Sequence, residues 1–189
     1  MSSRRLLAVF VLLMIGREAS AQTVNARVRP DWWGEADIAV GSLGLGCDVC
    51  SGRVTGGGVG VGGGIRAGRL VELGVAATGF FGSKDGTSQR AIVIGPVARL
   101  YTSPLRTWQV RGGLGWQGYR AAEGTSRLTS SSIALSLGAA RRWSIGRAGD
   151  LTPHVDLVVT PSSSLRQNDR EIARASSTTL VLGLSLRFD

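Results

Sequence analysis

The decisive stretch lies near the end of the chain, Thr178-Thr179-Leu180-Val181-Leu182-Gly183-Leu184-Ser185-Leu186-Arg187-Phe188. Side chains alternate across an extended strand with a period of two. Thr178, Leu180, Leu182, Leu184, Leu186 and Phe188 therefore share one face, and Thr179, Val181, Gly183, Ser185 and Arg187 share the other. One face is greasy throughout; the other is small or ionic.

The same alternation recurs upstream, near 34–46, 55–66, 69–81, 91–102, 107–119, 131–144 and 151–161, with 177–188 as the eighth segment. In the fifth, Trp108, Val110, Gly112, Leu114 and Trp116 oppose Gln109, Arg111, Gly113, Gly115 and Gln117. In the sixth, Ile133, Leu135, Leu137, Ala139 and Trp143 oppose Ser132, Ala134, Ser136, Gly138 and Arg142, with Arg141 intruding on the apolar face. The first segment changes phase around Ser42 and Leu43, which predicts a β-bulge there.

Which face points inward decides the fold. A soluble barrel or sandwich turns its apolar face to the core and its polar face to water. Here the second face is mostly Gly, Ala, Ser and Thr with isolated charges: Asp37, Glu72, Arg99, Arg111, Arg142, His154, Asp156 and Arg187. A solvated face would carry many more charged side chains. Small residues with a few opposed charges suit the narrow lumen of an eight-stranded barrel, and the apolar face then belongs in lipid. The expected fold is all-β, an eight-stranded antiparallel up-and-down transmembrane β-barrel over 34–189. The segments between strands alternate long and short, with long links at 47–54, 82–90, 120–130 and 162–176, as extracellular loops and periplasmic turns do. Both ends of the barrel chain then fall on the periplasmic side. Trp108 and Trp116, eight residues apart, span about 27 Å of strand and about 20 Å of height when tilted. They suit the two aromatic girdles of an apolar band, and Trp143 joins the periplasmic one.

Composition agrees. With 28 Gly, 5 Pro and 2 Cys in 189 residues, 43% hydrophobic and 19% charged, the chain is neither disordered, collagen-like nor a multi-disulfide scaffold. Its start reads as an export signal: Arg4 and Arg5, the apolar run Leu6–Ile15, then Ala19-Ser20-Ala21. Ten apolar residues in a helix reach only about 15 Å, too short to span a membrane. The expectation is a signal peptide over 1–21 read by the Sec pathway, a periplasmic segment over 22–33, and a cell outer membrane location. The net charge of +9 arises almost wholly from arginine, Lys84 being the single lysine. For an exported chain this favours an anionic membrane surface over nucleic acid. Arg53, Lys84, Arg90, Arg120, Arg127, Arg166, Arg170 and Arg174 in the long links outnumber Asp48, Asp85, Glu123, Asp169 and Glu171, and outer-rim guanidinium groups suit lipopolysaccharide phosphates.

These features resemble the small OmpA-like outer-membrane β-barrel domains over nearly all of 34–189. Gly183, Leu186 and Phe188 are similar to the C-terminal signal that barrel-assembly machineries recognise, with Val181 in place of a polar residue and Asp189 after the aromatic. The resemblance implies a fold, a location, and the assembly machinery and outer-membrane lipid as partners. It implies no activity.

Other motifs are weaker. Gly58-Val59-Gly60-Val61-Gly62-Gly63 satisfies G-x-G-x-x-G, but a turn and another alternating run follow instead of a helix, so no nucleotide cofactor is expected. Cys47 and Cys50 form a C-x-x-C. No second pair of ligands accompanies it and the single histidine lies in another strand, so a local disulfide is favoured over a metal or redox role. His154 and Asp156 share a strand face and, beside a serine, would suit a lipid A-modifying enzyme; membership of the internal polar network is the favoured reading. A monomeric, non-enzymatic barrel with a sealed polar lumen is the expectation, acting in envelope structure or surface interaction through its loops. A lipid A-modifying enzyme, a small-solute channel and a soluble lipocalin-like binder are the rivals.

Overall fold

The computed structural model describes residues 32–47, 52–146, 149–168 and 170–188. The signal peptide and its cleavage after Ala21, with most of the segment placed before the barrel, lie outside the described residues, as does Cys50. Nine strands follow in chain order: β1 (Trp32–Gly46), β2 (Arg53–Arg66), β3 (Val71–Lys84), β4 (Thr87–Tyr101), β5 (Trp108–Glu123), β6 (Ser126–Arg141), the two-residue β7 (Trp143–Ser144), β8 (Asp150–Gln167) and β9 (Arg170–Phe188). Each long strand pairs antiparallel with its chain neighbour, β1 with β9, and β6 with β8 across the short β7. The eight long strands thus close an up-and-down barrel, each of them paired on both sides among the described residues.

Which way the faces point is plain from exposure. Ile38 is 67% exposed, Val61 61% and Leu137 62%, whereas Glu72 is 0%, Arg99 1% and Arg187 1%. In β9, Leu180, Leu184, Leu186 and Phe188 are exposed while Gly183, Ser185 and Arg187 are buried. The barrel is therefore inside-out relative to a soluble one, with an apolar outer surface and a charged interior.

Several expectations need correction. Trp32 and Trp33, assigned to the segment before the barrel, open β1 by pairing with Ile65 and Gly64, and Trp33 is buried inside. The predicted bulge at Ser42 and Leu43 is absent: β1 keeps one register from Trp32↔Ile65 to Gly44↔Arg53. The phase changes because Leu43 itself points inward. It packs with Phe80, Ala91, Tyr119 and Ala121, flanked by Leu45 and Leu128, in an apolar plug at the end away from Trp32 and Phe188. We call that end the upper end. The register shifts lie instead along β8: against β6 between the pairs Ser130↔Leu165 and Leu135↔Val159, and against β9 between Thr160 and Ser163 and again between Leu165 and Arg166, the first two flanking Pro161, which has no N–H for the ladder.

Three of the long links are not loops. Lys84↔Thr87 closes over Asp85-Gly86, Glu123↔Ser126 over Gly124 and Thr125, and Gln167↔Arg170 over the link after Asn168. Asp85 (φ 50°), Gly86 (φ 82°), Gly124 (φ 54°) and Asn168 (φ 48°) take the left-handed conformations of tight hairpins. Their flanks read as loops because the hydropathy pattern inverts above the apolar belt. Ser, Thr and Arg there face outward, while Ala91, Tyr119 and Ala121 fill the inside.

Candidate functional site

The lower end of the lumen is organised around one carboxylate. Glu72, which β3 points inward, accepts from both terminal nitrogens of Arg187 at 2.8 Å, from Arg106 at 2.9 Å and from the Tyr101 hydroxyl at 2.9 Å. Arg99 and Arg66 stand 4.0 Å away. The Arg187 pair is a two-point fork, the strongest geometry available to guanidinium and carboxylate. Trp33 lies beneath: Arg99 stacks 3.8 Å and Arg187 5.4 Å from its ring. Arg106 enters from the β4–β5 turn with φ 56° and also donates to the Gly68 and Arg69 carbonyls, tying two lower turns together. Arg142 pairs with Asp150 where β6 turns toward β8.

A second layer lies above. Arg99 reaches up to Glu35, and Arg111 donates to both oxygens of Asp156 and touches His154 Nδ1. His154 Nδ1 is 2.8 Å from Asp156 Oδ2. A cavity of about 120 Å³ opens here, lined in part by Asp37, Thr78, Arg111, Gln117 and His154. Above it, Gln117 donates to Ser177 Oγ at 2.9 Å, Thr160 bonds the same hydroxyl, and the apolar plug begins.

All eight sequence-derived lumen residues thus face the interior, in three places. Glu72, Arg99 and Arg187 meet at the lower end; Arg142 joins Asp150 beside them. Arg111, His154 and Asp156 form the middle cluster, and Asp37 lines the cavity. Sequence reasoning missed Glu35, Tyr101 and Asp150, each of which shares strand parity with a residue it named. It also missed Arg106, for which a turn offers no periodic signal.

The glycine content has a steric reason inside this lumen. Gly60 is the register partner of Asp37, Gly62 of Glu35, Gly138 of Asp156 and Gly183 of His154. Each polar side chain lies over the bare backbone of the neighbouring strand. A Cβ on Gly138 would sit 2.7 Å from the Val155 carbonyl oxygen and 2.9 Å from the Asp156 carboxyl carbon. At Gly183 a Cβ would collide with the His154 imidazole. Gly183→Ala is therefore expected to destabilise the barrel by about 1–3 kcal/mol through overpacking. His154→Ala in the same chain should recover most of that loss, so urea titrations of the two single variants and the double variant would show non-additivity. Additive losses would contradict the packing.

Outside, Trp108 and Trp143 lie at the lower end and Trp116 toward the upper. Arg141, the intruder on the apolar face, stacks between the first two, 5.4 Å from Trp108 and 5.8 Å from Trp143. Of the assembly-signal residues, Leu186 and Phe188 face outward and Gly183 receives His154. Cys47 follows β1 at the upper end.

No family model matches the sequence, and no curated protein matches it. Among solved structures the chain is similar to Neisserial surface protein A, with a TM-score of 0.60 and 18% identity over 84% of this chain and 98% of that one. It is also similar to Ail, the attachment invasion locus protein of Yersinia pestis, at a TM-score of 0.55 and 10% identity over 84% and 100%. Ail in complex with the heparin analogue sucrose octasulfate gives 0.53 at 10% identity, with the same coverage. At these identities the likeness is one of fold.

Proposed function

We propose that this chain is a non-enzymatic, monomeric outer-membrane β-barrel with a sealed lumen, whose role is exercised at its upper surface in envelope structure or surface interaction. The single observation that carries this reading is the inside-out arrangement. An aqueous barrel would leave Ile38, Val61 and Leu137 in water and bury Arg99 and Arg187 unhydrated, unfavourable on both counts. Acyl chains around the belt remove the first penalty, and the Glu72, Glu35, Asp156 and Asp150 pairs offset the second. The surface roles named for Neisserial surface protein A and for Ail make the upper end the place to look.

On this reading residues 1–21 are the Sec signal, Gly183, Leu186 and Phe188 address the assembly machinery, and a Cys47–Cys50 disulfide tightens the first upper link. The lumen is closed below by the Glu72 cluster and above by the Leu43–Tyr119 plug. The channel alternative is tested in planar bilayers, where no steady single-channel steps are expected. The enzyme alternative is disfavoured because His154 is buried and its Nδ1 faces Arg111 and Asp156, away from any acyl chain outside the barrel. Lipid A from cells expressing the parent and His154→Ala chains should have the same mass. Fractionation should place the protein with outer membranes and show heat-modifiable gel migration; recovery from the aqueous periplasm without detergent would end the reading.

A further inference from the structure

The upper rim carries a feature that barrel closure does not require. The strand registers align Phe81, Arg90, Arg120, Thr129 and Arg166 in one row across β3, β4, β5, β6 and β8. Parity places the row on the outer face: Arg90 shares its side of β4 with Ile92 and Ile94, Arg120 shares its side of β5 with Trp116, and Thr129 shares its side of β6 with Ile133. Arg127 lies on that same face of β6, opposite Ala122 and diagonal to Arg120. The row therefore sits directly above the apolar belt.

Arg90 and Arg120 stand directly opposite each other, and like charges in that position destabilise a sheet. Among the described residues, neither they nor Arg127 form an ion pair with a carboxylate. By contrast Arg53, on the same rim, is held by the Ser42 hydroxyl at 3.0 Å and by the Ser42 and Thr178 carbonyls. A cleft of about 330 Å³ opens between Phe81, Ser88, Arg90, Arg120 and Ala122. From Arg90 to Arg166 the row crosses three inter-strand steps, about 14 Å. Repelling, forked cations beside a cleft, with an apolar wall directly below, match an anionic headgroup whose tails run down that wall.

We propose that Arg90, Arg120 and Arg127, with Arg166 at the far end of the row, dock the phosphates of an acylated, phosphorylated glycolipid of the surrounding leaflet. Its chains lie along Ile92, Ile94, Trp116 and Ile133. The proposal rests on the membrane reading above and deepens it by naming the lipid class and its contacts.

The test uses the full chain, folded in detergent as judged by heat-modifiable migration, and titrated with bisphosphorylated lipid A, dephosphorylated lipid A and inorganic pyrophosphate. The R90Q/R120Q double variant should bind bisphosphorylated lipid A at least roughly tenfold more weakly than the parent, while R53Q matches the parent. Parent binding should fall by a similar factor when the phosphates are removed. Equal affinity of parent and double variant, in chains that fold normally, overturns the proposal and leaves the membrane reading intact. Pyrophosphate binding as tightly as lipid A overturns the lipid as occupant. A parent chain that never shows heat-modifiable migration overturns the membrane reading and this proposal together.

Discussion

Replacing Glu72 by Ala is expected to cost about 3–5 kcal/mol of barrel stability, a typical loss when one partner of a buried ion pair is removed. Glu72 is fully buried and accepts from Arg187, Arg106 and Tyr101, with Arg99 and Arg66 also 4.0 Å away. Without it, cationic side chains face each other in a space with no compensating carboxylate at the same point. Glu72→Gln separates charge from shape. The amide fills the same volume but neutralises nothing, so it should recover only a minority of the loss. Urea unfolding of the protein folded into lipid vesicles, followed by gel migration and tryptophan fluorescence, measures both. A loss under about 1 kcal/mol for Glu72→Ala would show that the lower cluster does not hold the barrel together.

Leu135→Arg tests the outer face. Leu135 is 57% exposed and lies opposite Leu114 at the middle of the apolar belt. On a water-facing surface such a change stays within about 0.5 kcal/mol. At the mid-plane of a bilayer it costs about 2–4 kcal/mol, because no neighbouring water receives the guanidinium. Folding yield into vesicles should fall correspondingly, whereas Ser88→Arg, on the exposed upper part of β4, should leave it unchanged. Indifference at both positions would mean that the belt does not face lipid.

Much of this was legible in the residues. The period-two alternation in eight segments, the apolar face of 178–188 and the small-residue face beside it yield the barrel and its inside-out sense. Strand parity also places Asp37, Glu72, Arg99, Arg111, Arg142, His154, Asp156 and Arg187 toward the interior. Less visible were the strand ends. Above the apolar belt the outer face carries Ser, Thr and Arg and the inner face packs a plug, so the alternation that marks the belt strands reverses. Residues 82–90 and 120–130 therefore look like loops, and Leu43 looks like a slipped register.

Local alternation in the chain was enough for the fold class and for the facing of residues within the apolar belt, because a period of two separates an apolar face from a small and ionic one without reference to any partner strand. Tertiary structure alone decided partnership. That Arg187 grips Glu72, that Arg99 turns to Glu35, that His154 lies over Gly183 and that Arg90 confronts Arg120 all depend on barrel register. Register is a relation between strands distant in the chain, set by closure of the sheet and by the space each glycine leaves for its neighbour.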